Sequence, residues 1–341
     1  MATSRVACAS FNLGTNTTIT ITRDNKAYTH TLKYSFNGAT GTIVTKTTAT
    51  TYVWTPPAST FYSKIPNTTS GYGTITCETY NGSTLIGTST AGFYAYAVKA
   101  DCLPTVTGTV VDTNSATIAL TGSASTIVAI LSKPKATLTA TAKNSASIKT
   151  IQIDNGWGLV ATTSPYTFDK VWGNQFFFKA NDSRGYSNTH TLTVSKFIDY
   201  YPCYFDKTPV FKRTETTATT ATASIVGSCF KGSFGAVSNT LTVKYRYKTS
   251  SGTYGSYVNA TPTWNTDGSF TATVTLTNLS ISEAYTVEFV VQDKLTSFPV
   301  ETVIGRGVGD LRIAKDYIQA QNNLYLGSKN NTDFRAVKIN R

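Results

Sequence analysis

Apolar side chains recur along this chain at every second position, in short runs separated by turns rich in Gly, Asn and Asp. In residues 28–36, Tyr28, His30, Leu32, Tyr34 and Phe36 fall on one face, and Thr29, Thr31, Lys33 and Ser35 on the other. A period of two is that of a half-buried strand. Residues 241–248 repeat the pattern, with Leu241, Val243, Tyr245 and Tyr247 opposed to Lys244, Arg246 and Lys248, and residues 270–276 and 285–291 alternate equally well. No long window carries the 3.6-residue period of an amphipathic helix. The chain therefore reads as all-β.

Turn spacing divides the strands into modules. Within residues 1–101, strands are expected over 6–11, 16–22, 28–36, 41–46, 73–80, 83–89 and 92–98, with Asn37-Gly38 and Asn81-Gly82 as hairpin signals. About seven short strands in about 100 residues is the rhythm of an Ig-like sandwich. Residues 102–205 form a second Ig-like unit, with strands over 116–120, 135–143, 147–153, 166–171, 175–180 and 186–197. Asp154-Asn155-Gly156 and residues 181–185 supply its turns. Residues 206–304 form a third sandwich, fibronectin-III-like, so the chain reads as tandem Ig-like and fibronectin-III-like β-sandwich modules followed by a short irregular C-terminal segment. In the third sandwich Leu279 precedes Tyr285 by six residues, the spacing of the corner in fibronectin-type sandwiches where a tyrosine hydroxyl bonds back to the backbone. Residues 176–182 and 288–293 are both bulky strands ending in Asp before a turn, a weak internal repeat.

The last segment, 305–341, is too short to bury a core alone. Its apolar residues Leu311, Ile313, Tyr317, Ile318, Leu324, Tyr325 and Leu326 are candidate contacts for a homo-oligomer, or for docking on the third module.

Composition narrows the surface chemistry. Hydrophobic residues make up 40% and aromatics 12%, enough for real cores, whereas charged residues are only 14%. Thr, Ser and Asn fill the exposed positions, so the surface is largely neutral and polar. The formal net charge is +12. Lys and Arg are spread along the chain without a dense block, which points to a weak attraction for polyanions and not to a specific nucleic-acid site. Residues 1–11 lack the continuous apolar core of a secretion signal, and no apolar run approaches the roughly 20 residues of a membrane span, so no membrane insertion is expected. The cysteines are Cys8, Cys77, Cys102, Cys203 and Cys229, an odd count without a CxxC pair. Trp54 lies too late after Cys8 for the Ig pattern of cysteine, tryptophan and cysteine. Five reduced thiols, formed in a cytoplasm, are expected.

Catalytic chemistry finds little support. His30 and His190, the only histidines, lie in different modules and alternate with apolar residues, as structural histidines do. There is no GxSxG, HExxH or EF-hand pattern. Gly305-Arg306-Gly307-Val308-Gly309 lacks the following helix of a phosphate loop and reads as a linker. Asp169, Asp182 and Asp199 are the least implausible carboxylates for glycoside hydrolysis. No cofactor and no metal site is expected. Aromatic loops are the better lead: Trp54 with Pro56-Pro57, Phe61-Tyr62, and Trp157 in Asn155-Gly156-Trp157-Gly158 could present flat apolar faces to sugar rings, or else plug the sandwich ends.

An ordered series of segments adds a resemblance. Residues 34–41 (YSFNGATG), Trp54-Thr55-Pro56-Pro57, Lys64-Ile65-Pro66-Asn67, 71–87 (GYGTITCETYNGSTLIG), 181–185 (NDSRG), 199–203 (DYYPC) and 239–248 (NTLTVKYRYK) together resemble the siphophage minor structural or tail proteins of unknown function from phages of Gram-positive bacteria. The resemblance runs to about residue 326. It implies a virion component, of the tail or its host-facing tip, assembled in the host cytoplasm with other virion proteins as partners. It brings no catalytic residues. Adhesion to wall polysaccharide or teichoic acid is the companion expectation. A capsid or neck decoration and a polysaccharide-degrading tail enzyme are the alternatives.

Overall fold

The structure, a computed structural model, describes residues 3–215, 218–307, 312–314 and 317–319. It is 51% strand and 6% helix. The chain forms two compact units, residues 1–119 with 123–199, and residues 120–122 with 200–341.

The first unit holds two sandwiches, each with a core shared between two sheets. In the first sandwich, a three-stranded sheet (Arg5–Cys8, Thr17–Thr22, Thr51–Trp54) faces a five-stranded one whose main strands are Thr29–Phe36, Ala39–Thr47, Ser70–Asn81 and Thr84–Tyr96. Val6, Ile19 and Ile21 from one sheet meet Leu32, Phe36, Ile75, Cys77 and Phe93 from the other. Asn37 and Gly38 take positive φ between the paired residues Phe36 and Ala39, closing the expected hairpin. The two strands expected over 83–89 and 92–98 are one continuous strand, because Thr90, Ala91 and Gly92 stay paired with Thr76, Ile75 and Thr74 instead of turning, and only a bulge beside Gly87 interrupts the ladder.

The second sandwich pairs Thr105–Asp112, Pro134–Thr141 and Tyr166–Thr167 in one sheet, and Ile148–Asp154, Val160–Ala161, Gln175–Asp182 and Ser187–Thr193 in the other. Val106, Ala136 and Leu138 pack against Ile153, Phe176, Phe178 and Ala180. Residues 116–120, expected as a strand, lie instead in the helix Ser115–Thr121. The Asn114 side chain accepts from the Ala116 N–H at 3.1 Å and its carbonyl from the Ile118 N–H at 3.0 Å, which starts a helical turn. A run this short cannot be assigned by alternation alone.

One hairpin of the second sandwich is bonded into the first. Asp182 ends its strand and accepts from the N–H groups of Arg184 and Tyr186 at 3.0 and 2.8 Å. This turn directs Arg184, only 6% exposed, onto backbone carbonyls of both sandwiches. The guanidinium donates to Ile65 at 2.9 Å, Tyr62 at 3.2 Å and Lys143 at 3.1 Å, and also to Asn144. Ser183 donates to the Pro66 carbonyl, Tyr186 to Ala97 at 3.2 Å, and Asn188 to Pro104 at 2.9 Å.

The second unit contains a third sandwich. Ala221–Ser228 and Ser269–Leu276 lead one sheet, and Thr242–Thr249, Tyr285–Gln292 and Ser297–Ile304 the other. The Tyr285 hydroxyl accepts from the Ser280 N–H at 2.8 Å, the corner expected from its spacing after Leu279. Asp293 repeats the role of Asp182, accepting from Leu295 and Thr296 N–H groups at 2.8 and 2.7 Å, so the internal repeat is one turn chemistry used twice. Outside the core, Lys244, Arg246 and Lys248 interleave with Tyr254 and Tyr257. The Arg246 guanidinium lies 4.5 Å from each ring, and Arg246 also pairs with Glu288. Partial burial, then the bond to Glu301, pushes the Tyr254 phenol up to about 12.

Arg184→Ala leaves two buried and two part-buried carbonyls without their donor and should cost about 2–4 kcal/mol. Arg184→Lys should recover only part, since an ammonium cannot reach as a planar fork does. Urea unfolding should show the first unit losing its single transition in the Ala variant.

The aromatic loop of the second sandwich

The loop between Ile148–Asp154 and Val160–Ala161 is built around a buried amide. Asn155 is fully buried, and its Oδ1 accepts from the N–H groups of Trp157 at 3.0 Å and Leu159 at 3.3 Å. Its own N–H donates to the Leu159 carbonyl at 3.2 Å, and Asp154 accepts from Gly156 N–H at 2.7 Å. Gly156 takes φ +77° with the Gln175 carbonyl 3.0 Å from where a Cβ would stand, so a larger residue there is both strained and crowded. The result is a rigid loop that holds Trp157 outward, 61% exposed. The Trp157 ring rests over Gly173, its Nε1 2.6 Å from that glycine's absent Cβ position. The adjoining Trp172 is 50% exposed, and Leu159 and Val160 are similarly open. Sequence reasoning found Trp157 and missed Trp172. The Val171-Trp172-Gly173 segment has an alternation break that could have marked it.

The other aromatic candidates are placed differently. Trp54, Phe61 and Tyr62 lie in the core of the first sandwich and have no face for a sugar. Pro56-Pro57 leads into the short helix Ala58–Lys64, which turns Phe61 inward. Phe61 stacks on Phe36 at 4.1 Å and meets the edge of Trp54 at 6.0 Å. They plug the sandwich.

The profile of the siphovirus proteins of unknown function (DUF859) matches residues 2–306. The chain belongs to that family. No curated protein matches it. Solved structures similar to this siphovirus protein include the eight N-terminal Ig domains of Down Syndrome Cell Adhesion Molecule isoform 1.30.30, at 9% identity and TM-score 0.33, covering 86% of this chain and 34% of that one. The chain thus spans about a third of that fragment's length. Others are the three N-terminal domains of the outer capsid protein Hoc of bacteriophage RB49, at 10% identity and TM-score 0.26, covering 88% and 97%, and a tetra-tandem repeat from the extending region of a large adhesion protein, at 16% and 0.32, covering 91% and 76%.

Among the described residues, the carboxylates and histidines singled out in the sequence hold structural or solvent-exposed positions. Asp169 and Asp199 are exposed, and Asp182 closes the hairpin described above. His190 is half-buried, tilted on Phe178 at 6.3 Å. His30 is fully buried, with Nε2 2.8 Å from Ser4 Oγ. In the second unit, an open cleft of about 570 Å³ is lined by Lys207, Lys212, Arg213 and hydroxyls including Thr222 and Ser224. Arg213 is occupied by the carbonyls of Gly305, Ala218 and Ser280, which leaves the two lysines as the cleft's free cations among the described lining residues. Among the described residues, no helix is long and apolar enough to cross a membrane. Of the oligomer candidates, Ile313, Tyr317 and Ile318 lie on two short paired strands, Arg312–Ala314 and Tyr317–Gln319. Leu311, Leu324, Tyr325 and Leu326 lie outside the described residues.

The cysteines differ from expectation. Cys203 and Cys229 are joined in a disulfide, and Cys8, Cys77 and Cys102 are free. Pairing of Tyr204–Phe205 with Gly227–Ser228 sets the two half-cystines side by side, an adjacency that residue spacing does not reveal. Asp293 brings a carboxylate within 4.8 Å of both sulfurs. Its oxygens are already used, by the turn amides and by Tyr200 at 2.9 Å and Asn239 at 3.2 Å, so the cluster is a structural knot and not a ligand set. Burial pushes the Cys77 thiol up to about 11.

Alkylation of denatured protein without reductant should therefore count three thiols, and five after reduction. In native protein at pH 8, Cys77 should stay unreacted. Five thiols without reductant would show the pair to be open.

Burial, and then the positive charge of Arg23, hold His30 below its ordinary value of 6.5. The unfolded chain then takes up this proton at a higher pH than the folded one. The contribution is complete above pH 6.5 and is lost as pH falls below it. Thermal unfolding between pH 7.5 and 5 should show a fall in stability that is shallower in His30→Gln.

Proposed function

We propose that this protein is a structural component of the siphovirus virion, placed in the tail or tail tip, that also adheres to the host cell wall. Family membership supports the virion role. The observation that carries adhesion is the exposure of Trp157, on the loop built around Asn155, and of Trp172, at 61% and 50%, whereas the other two tryptophans, Trp54 and Trp264, are buried and half-buried. Rigid exposed aromatics offer contact area at low entropic cost. The net charge of +12 and the lysines of the 570 Å³ cleft suit the anionic polymers of Gram-positive walls, teichoic acid among them. The partners in this reading are other virion proteins and wall polysaccharide. Copies of the chain assemble through the C-terminal segment, since virion components are used in symmetric sets. The reading assigns no reaction to the protein.

Purified protein should bind host walls at low salt and release them as the screening length shrinks from about 10 Å at 0.1 M to about 3 Å at 1 M. Trp157→Ala should weaken binding about tenfold while stability stays within about 0.5 kcal/mol. Trp54→Ala should instead destabilise the fold by about 3–5 kcal/mol. Wild-type protein that ignores walls at low salt removes adhesion from the reading.

A further inference from the structure

The outer face of the first sandwich carries a second exposed aromatic group, far in sequence from the Trp157 loop. Tyr72 on Ser70–Asn81 and Tyr94 and Tyr96 on Thr84–Tyr96 point away from the core, 52%, 48% and 43% exposed. Tyr72 and Tyr94 are directly paired across the two strands, with ring centroids 5.4 Å apart, and Tyr94 and Tyr96 are stacked at 6.2 Å with planes only 23° apart. Gly92 makes the arrangement possible. A Cβ there would lie 2.3 Å from the Tyr72 hydroxyl, so the missing side chain lets Tyr72 lie down along the sheet. Ordinary sheet surfaces stand their side chains upright.

The surroundings of these rings are neutral hydrogen-bonding groups. Asn12 pairs with Tyr96 on the neighbouring strand, Ser70 stands opposite Tyr96, and Thr74 faces Gly92. Lys33, two rows away beside Thr76, is tied to Glu78 at 2.6 Å. From the fractional exposures the three rings offer roughly 200–350 Å² of open surface. A stable contact with a second protein needs about 800 Å² per partner, and here the aromatic surface gives way to hydroxyls. The size and chemistry suit a few sugar rings, whose C–H faces stack on phenol rings while their hydroxyls meet the carboxamide and hydroxyl rim.

We propose that Tyr72, Tyr94 and Tyr96 form a binding platform for a neutral polysaccharide, separate from the Trp157 loop and from any attraction to anionic wall polymers. The test uses the full chain on an array of neutral hexose, deoxyhexose and N-acetylhexosamine oligomers, followed by titration calorimetry with the oligomer that binds best. Tyr94→Ala should weaken that binding about tenfold, the scale of one lost aromatic contact. Tyr94→Phe, which keeps the ring, should stay near wild type, and Tyr166→Ala, at an exposed tyrosine of the second sandwich, should leave the affinity unchanged. Binding to no neutral oligomer overturns the proposal. So does binding that Tyr94→Ala leaves intact or that Tyr166→Ala abolishes, or a change in mass by light scattering on Tyr94→Ala, which would make the face a contact between copies. Array binding that passes these controls upholds the platform even if intact protein fails to adhere to host walls.

Discussion

The joining of the first two sandwiches depends on a buried cation that has no carboxylate partner among the described residues. Arg184 is carried inward by the turn that Asp182 closes, and its charge is balanced by the carbonyl dipoles of Tyr62, Ile65, Lys143 and Asn144. Burying a guanidinium is costly unless its donors are used. Here four donor–acceptor contacts use them, and those acceptors belong to two different sandwiches. The same geometry fixes Tyr186 and Asn188 against Ala97 and Pro104. Arg184, with Ser183, Tyr186 and Asn188 beside it, thereby ties two small cores into one compact unit.

The third sandwich shows the turn without the clamp. Asp293 sits at the equivalent strand end and likewise captures two turn amides, but the residue two positions on, whose amide it holds, is Leu295 where the first unit has Arg184. Its second carboxylate oxygen is given to Tyr200 and Asn239 instead. A common device for closing a hairpin is thus put to two uses: to dock a neighbour in the first unit, and to organise the base of a single sandwich in the second.

Aromatic residues divide by what lies beneath them. Phe36, Trp54, Phe61 and Phe93 interlock in a core where each ring meets several others. Trp157 and Tyr72 are laid over glycines, Gly173 and Gly92, whose missing side chains make room for a flat ring at the surface. In the function proposed above, these two aromatic surfaces contact carbohydrate while the basic residues supply a long-range attraction that salt can tune.

Alternation by itself determined that the chain is all-β, and it marked the strands Thr29–Phe36, Thr242–Thr249 and Tyr285–Gln292 to within a residue or two, because period two is a local property of a half-buried strand. The spacing of Leu279 and Tyr285 likewise announced a corner that the Ser280 bond completes. Short elements were not legible: residues 116–120 alternate as a strand does, yet the cap at Asn114 winds them into a helix. The site was readable in one residue, Trp157, whose Asn-Gly-Trp-Gly setting forces a turn. Trp54, Phe61 and Tyr62 looked equivalent along the chain, and only the tertiary structure placed them inside, through a seven-residue helix that folds back between the sheets. The pairing of Cys203 with Cys229, the inward path of Arg184 and the tyrosine group on the outer sheet were likewise decided in three dimensions. Each depends on which strands become neighbours, and strand neighbours are chosen by long-range burial that no local pattern encodes.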